Sequence, residues 1–271
     1  MSAVGERAVP LTVLPDEAAI GKHVAQQVLS LLEDASIRRI VVGCPAGRTP
    51  RSTYRALGEL AAARRSDLSR LAIVMMDEFL VEMNGQLRYC DPDALYSCRR
   101  FAEVELRQVL NAGLSRDRQL PASQIYFPDP DDPGRFEDLI AELGGIDFFI
   151  IASGTSDGHV AFNPPGSALD SLTRIVELAA TTRRDNMSTF PVFDDLSEVP
   201  KFGVTVGLGT VVQHSKRVAL LMSGMGKRAA LQRLAELGRF DPSWPASVVF
   251  ECRHPEIVVD AAAAEGLGSG I

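Results

Sequence analysis

The chain has 271 residues, 46% of them hydrophobic and 23% charged, with a formal net charge of −7. That apolar share supports a sizeable core, and the length suits one large α/β domain or two small ones. The acidic balance argues against a nucleic-acid groove as the main function, because phosphate backbones need a cationic face, but it admits a small anionic substrate held by a few placed cations.

In chain order, strand and helix signals alternate. Val9 to Leu14 is a short apolar run closed by Pro15, and Asp16 reads as the N-cap of a helix with apolar positions at Ala19, Ile20, Val24, Val28, Leu31 and Leu32. Ile37 to Cys44 is the first core strand; the turn Pro45 to Pro50 leads from it into a helix over Arg51 to Arg64. Leu71 to Met76 is a buried strand closed by Asp77 and Glu78. Cys90 to Leu110 reads as helix, with Asp91 and Pro92 at its start. A short strand at Ile125 to Phe127 and a helix over Gly134 to Leu143 follow. Phe148 to Ala152, Thr173 to Leu178, Phe202 to Val206, Arg217 to Met222, Ser247 to Phe250 and Ile257 to Val259 read as strands, with helices at Leu208 to His214 and Lys227 to Leu237. This alternation implies right-handed βαβ units and an open, mostly parallel sheet with helices on both faces. Residues 1–271 show no linker of domain-boundary character, so a single domain is expected. Cys44, Cys90, Cys98 and Cys252 have no metal-ligand spacing and read as reduced thiols. With no basic n-region and no apolar run near the ~20 residues that span a bilayer, a cytoplasmic protein without a membrane partner is expected.

The chemistry concentrates at strand ends. Phe148 to Ala152 empties into Ser153-Gly154-Thr155-Ser156 and delivers Asp157, Gly158 and His159 at its carboxyl end, where open α/β sheets place their sites. Three other strand ends join it. Gly47 and Thr49 precede a helix start, whose backbone N–H groups suit an anion, although glycine-rich βα turns often bind nothing. Asp77 and Glu78 follow a buried strand, where one acid could simply cap the next element. Ser223-Gly224-Met225-Gly226 sets Lys227 in a helix's first turn, where the dipole disfavours a cation unless an anion partners it.

VVGCPAGRTP, IVMMDEF, SDGHVAFN, VPKFGVTVGLGT and MSGMGKRAAL, in that order, resemble the glucosamine-6-phosphate deaminase family, within the wider group that includes the 6-phosphogluconolactonases. The similarity runs from about Val9 to Ala261, and Phe79 with Ala161-Phe162-Asn163 matches the deaminase branch rather than the lactonases. The resemblance implies a Rossmann-like fold and an aldose–ketose isomerase/deaminase acting on an amino-sugar 6-phosphate, with no cofactor and no metal. It makes Asp77 the base that moves a proton between C2 and C1, His159 the ring-opening imidazole, and Asp157 its acid partner. It assigns the 6-phosphate to Gly47, Arg48, Thr49, Arg183 and Lys227, with Glu78 and Asn163 supporting. The implied partner is a small phosphorylated sugar, and a homo-oligomer is possible. A lactonase-type hydrolase, which would need only Asp157 and His159, and a non-catalytic sugar-phosphate binder are the alternatives.

The chain departs from the family pattern at named places. Deaminases usually carry a glutamate after AFN; here Pro164 stands there. Thr155 replaces a glycine before the DGH aspartate, and Arg48 replaces a small residue. Ser167 and Arg174 match positions of the family's allosteric activator, but Val176 replaces a lysine, so that activation is not expected. His23, His214 and His254, and the pairs Arg64-Arg65 and Arg99-Arg100, read as structural or solvated, and Trp244 as an anchored core aromatic.

Overall fold

The computed structural model describes residues 9–34 and 36–267. Seven strands form one fully parallel sheet: β1 (Leu11–Leu14), β2 (Ile40–Cys44), β3 (Leu71–Met75), β6 (Ile125–Tyr126), β7 (Phe148–Ala152), β10 (Val218–Met222) and β11 (Pro255–Asp260). Their spatial order is β1-β11-β10-β7-β2-β3-β6. The strands alternate in the faces they serve, as the pleat requires. Phe149 and Ile151 of β7 join one core, while Phe148 and Ile150 join the other. Helices α1 (Glu17–Glu33) and α2 (Arg51–Arg64) cover the second face; α5 (Arg135–Glu142), α7 (Leu208–His214) and α8 (Arg228–Leu237) cover the first. Asp16 does cap α1, its carboxylate accepting from Ala19 N at 2.8 Å. Gly43 in β2 is needed for packing, since a Cβ there would lie 2.1 Å from the Phe149 ring.

A second sheet lies beyond the first, antiparallel throughout, in the order β5-β4-β9-β8. Its members are β4 (Asp77–Met83), β5 (Gln86–Tyr89), β8 (Arg174–Glu177) and β9 (Phe202–Thr205). Asp77 and Glu78 therefore open a new strand rather than end an old one. The chain passes from β3 through Met76 straight into β4, and Met76 O accepts from Val206 N at 2.8 Å. Phe79, Phe162, Phe190 and Phe193 build a separate small core against this sheet.

Two further expectations are corrected. Helix does not begin near Asp91: Ser97 caps α3 (Cys98–Phe101), which runs through a π-type segment (Ala102–Arg107) into α4 (Gln108–Asn111). The cap is completed by Glu78, whose carboxylate accepts from Cys98 N and Arg99 N, a tertiary contact with no local signature. Ser247 to Phe250 is not a strand but part of a buried 3₁₀ helix, Pro245–Glu251, because Pro245 enters its first turn. A helix absent from the sequence reading, α6 (Ala180–Thr189), lies between β8 and β9. No described helix is long and apolar enough to cross a membrane.

Candidate active site

The carboxyl ends of β2, β3, β7 and β10 open into one cavity of about 560 Å³, at the place where the strand order of the parallel sheet reverses. Gly47, Arg48, Thr49, Asp77, His159 and Lys227 all line it. Asp157 lies behind His159 and is held to it.

The histidine pair is built by its own loop. His159 Nδ1 lies 2.7 Å from Asp157 Oδ1, and His159 N donates to the same oxygen at 3.1 Å. Thr181 and Thr182 hydroxyls at the start of α6 donate to Asp157 Oδ2, at 2.5 and 2.9 Å. Burial raises the Asp157 pKa, but the His159 contact and the Thr181 hydroxyl outweigh it, so the carboxyl titrates below the usual range. An ionised Asp157 fixes the proton on Nδ1 and leaves Nε2 free for proton exchange. Glycines make the loop possible. A Cβ on Gly154 would sit 2.2 Å from His159 Nδ1, and Gly158 (φ +66°) takes the Trp244 indole where a Cβ would be. Trp244 is thus a packing residue that braces the DGH turn.

Asp77 stands at the seam of the two sheets, paired in register with Thr205. Its side chain is buried, and the Cys98 thiol donates to its Oδ1 at 3.3 Å. Burial pushes its pKa up to about 7; the nearby Glu78 charge adds to the rise, while the Cys98 contact and His159 oppose it. Glu78, on the opposite face of the same strand, does not reach the cavity. Its carboxylate accepts from Phe79 N (2.8 Å), Cys98 N (2.9 Å), Arg99 N (2.8 Å) and Ser97 Oγ (2.9 Å). It is a buried clamp on α3, and the expected supporting role at the substrate is withdrawn.

The end of the cavity away from His159 is made by two loops. Tyr54 OH donates to Pro45 O at 2.8 Å, anchoring the first loop, and Gly47 adopts φ +105° facing open space. Gly224 N donates to both oxygens of Asp260 (3.0 and 2.9 Å), anchoring the second. Lys227 Nζ donates to Ser153 O at 2.6 Å and Thr155 Oγ1 at 2.7 Å. Thr155, one of the departures from the family pattern, therefore orients the lysine. Burial lowers the Lys227 pKa to about 8, and Arg48 pushes the same way, against Asp185 and Asp157. Arg48 is exposed at the cavity rim.

Two expected residues lie elsewhere. Arg183 donates through Nε (3.2 Å) and Nη2 (2.9 Å) to Val199 O, and through Nη2 to Leu196 O, so its guanidinium ties down the segment after α6. The reason is helical phase: Thr182, Asp185, Asn186 and Thr189 share the face toward the site, and Arg183 falls off it. Asn163 is buried under the AFN turn, with Nδ2 donating to Val160 O (3.0 Å) and Val206 O (2.7 Å), and it holds Ala161 at φ +52° rather than touching the cavity. Pro164 contributes only its carbonyl, which accepts from Ser167 N and Oγ. Ser167 and Arg174 contact each other and do not line the cavity.

Sequence reasoning gave no role at the site to Cys98, Asp185 or Asn186. Asn186 lines the cavity, and its buried Nδ2 has no partner, leaving a donor for a bound group. The available signal was a helix polar nearly all round, Ala180 to Thr189, which packs little apolar surface and so suits a wall beside solvent or ligand. Asp157, His159 and Asp185 bring one donor atom each within 4.8 Å of one another, but both Asp157 oxygens are committed to the hydrogen bonds above.

The buried Asp77 has a stability consequence. In the unfolded chain it ionises near 3.8, in the folded chain near 7. The folded state therefore binds the extra proton between those values, and stability falls as pH rises through that window. Asp77→Asn is expected to stabilise the protein by on the order of 2–4 kcal/mol above pH 8 and by little near pH 4. Denaturant melts of both proteins at the two pH values check this; an equal effect at both would contradict the burial of an ionisable group.

No family model matches the chain. Among curated proteins it is 34% identical over 244 residues to the glucosamine-6-phosphate deaminase of Corynebacterium kroppenstedtii, covering 90% of this chain and 88% of that one. It is 32% identical to the Phocaeicola vulgatus glucosamine-6-phosphate deaminase over 265 residues, 94% and 92% of the two chains. Among solved structures, a monomeric glucosamine-6-phosphate deaminase superposes with a TM-score of 0.77 at 25% identity, covering 94% of this chain and 98% of that one. A 6-phosphogluconolactonase from Shewanella baltica superposes with a TM-score of 0.68 over 94% and 99% of the chains, but at 15% identity it speaks for the fold alone. On these similarities, which run through both sheets and the cavity they enclose, the chain belongs to the glucosamine-6-phosphate deaminase family.

Proposed function

We propose that this chain is an amino-sugar-6-phosphate isomerase/deaminase, converting a glucosamine 6-phosphate-like aldose into ketose phosphate and ammonia. The observation that carries the reading is a buried carboxylate with a pKa of about 7, set in the same cavity as an Asp157–His159 pair and a lysine-bearing anion loop. A base poised near neutrality suits abstraction of a proton next to a carbonyl. In this scheme His159 moves a proton to the ring oxygen and opens the sugar. Asp77 takes the C2 hydrogen of the open-chain aldehyde while the aldehyde oxygen gains a proton from solvent, giving an enolamine, and Asp77 then returns its proton to C1. The resulting C2 iminium adds water and releases ammonia, leaving the ketose. Every step is acid–base chemistry. The Cys98 thiol steadies Asp77 throughout.

Lys227, Arg48, Thr49 and the backbone at Gly47 hold the phosphate in this reading, with the guanidinium coming from the β2 loop rather than from Arg183. Charge-assisted bonds of this kind are strong and directional. Asn186 offers a further donor to the sugar. A lactonase would leave the buried Asp77 without a task, which favours the isomerase.

Two expectations follow. Assays of ammonia and ketose 6-phosphate release from a panel of amino-sugar, aldose and lactone 6-phosphates should give turnover with the amino sugar. The kcat/KM profile should rise as Asp77 ionises near 7 and fall as Lys227 loses its proton near 8. Acid release from the lactone alone would overturn the reading. Separately, calorimetry with a 6-phosphorylated sugar should show Lys227→Ala and Arg48→Ala each weakening binding by roughly 1.5–3 kcal/mol, the range for hydrogen bonds to charged groups. Arg183→Ala should instead lower the melting temperature; a selective binding loss in Arg183→Ala with Arg48→Ala unaffected would reverse the assignment.

A further inference from the structure

We propose that Asp185 is a positioning residue that locks the loop bearing Asp157 and His159 and ties that loop to Lys227. The inference rests on reading the cavity as a sugar-6-phosphate site. Asp185 lines the cavity from α6, and its carboxylate reaches across 30 residues of sequence to three donors on the loop. Oδ2 accepts from Thr155 N at 3.2 Å and Ser156 N at 3.4 Å, and Oδ1 accepts from Ser156 Oγ at 2.7 Å. Thr155 in turn receives Lys227 Nζ on its hydroxyl, and Ser156 directly precedes Asp157.

One carboxylate therefore fixes two adjacent residues that lead to opposite ends of the cavity. One route runs through Thr155 to the lysine of the anion end. The other runs through Ser156 to the Asp157–His159 pair. A carboxylate oxygen of Asp185 also lies within 4.8 Å of an imidazole nitrogen of His159 and of Asp157, and its charge favours the protonated form of Lys227. Asp157 is held from the same helix by Thr181 and Thr182, so α6 supplies the side chains that hold the loop at 155–157, while Trp244 braces it at Gly158. The loop needs that support. It contains Gly154 and Gly158, and its backbone amides at 155 and 156 have no strand partner.

The test compares wild type with Asp185→Asn, Asp185→Glu and Ser156→Ala. Hydrogen exchange over residues 153–159 should quicken by about five-fold or more in Asp185→Asn and less in Ser156→Ala, with β2 and β10 unchanged. Sorbitol 6-phosphate, which has no ring to open and no amine to lose, should bind roughly three- to ten-fold more weakly. Ammonia release from glucosamine 6-phosphate should show kcat falling at least about ten-fold, more than KM rises, with partial rescue by Asp185→Glu. A folded Asp185→Asn protein with loop exchange and sorbitol 6-phosphate affinity within about two-fold of wild type would overturn the proposal. Should Asp185→Asn fail to fold, Ser156→Ala carries the exchange measurement, and unchanged loop exchange there overturns it too. A wild type that releases no ammonia defeats the deaminase reading instead, while exchange and sorbitol 6-phosphate binding still decide the role of Asp185.

Discussion

A carboxylate held out of water at the seam of two sheets is the constraint around which this molecule is arranged. Successive residues of a strand point to opposite faces. Asp77 accordingly faces the cavity with Phe79, while Glu78 between them faces the opposite way. The two acids carry different duties for that reason. Glu78 gathers five donors, the Cys90 thiol among them, and fixes the start of α3, and α3 brings the Cys98 thiol onto Asp77. Asp77 is left with one thiol hydrogen bond and no ion pair among the described residues, so burial outweighs the opposing pull of Cys98 and His159 and its pKa rises to about 7. An ionisable group kept in that state costs stability, and such costs are characteristic of functional sites.

The rest of the cavity divides its electrostatics by distance. Asp157 is surrounded by donors and stays ionised, which orients His159. Lys227 and Arg48 gather at the other end, where two loops anchored by Tyr54 and Asp260 present cations in an otherwise acidic protein. Two carboxyl groups, one lining the cavity and one behind its histidine, thus have pKa values pushed apart, one below its ordinary range and one above it, by hydrogen bonding in one case and burial in the other.

Much of the parallel sheet was legible because its signals are local. The five residues of β7 and the fourteen of α2 fall where apolar runs and helical spacing put them. Strand ends with unusual residues located the cavity, since Gly47, Asp77, His159 and Lys227 all meet there. What stayed hidden depended on distant partners. The second sheet is made of antiparallel pairs such as Asp77 with Thr205, far apart in sequence. The start of α3 is set by Glu78, twenty residues upstream of Cys98. Arg183 was misplaced because a family resemblance carries over residue type but not helical phase, and its donors went to Leu196 and Val199 carbonyls instead. Asp185 gave no signal of its own, because its partners at Thr155 and Ser156 lie one strand and two loops away.

The central claim is that Asp77 carries a proton between neighbouring carbons of the bound sugar. The most direct measurement runs glucosamine 6-phosphate conversion in deuterated water and follows label in the ketose 6-phosphate by NMR. Wild type should place deuterium at C1, since a carboxyl group open to the cavity exchanges with solvent between abstraction and return. Asp77→Asn, which cannot accept the proton at neutral pH, should bind the sugar phosphate and yield no labelled product. Labelled ketose forming at the wild-type rate in the Asp77→Asn protein would contradict the claim and move the base elsewhere in the cavity.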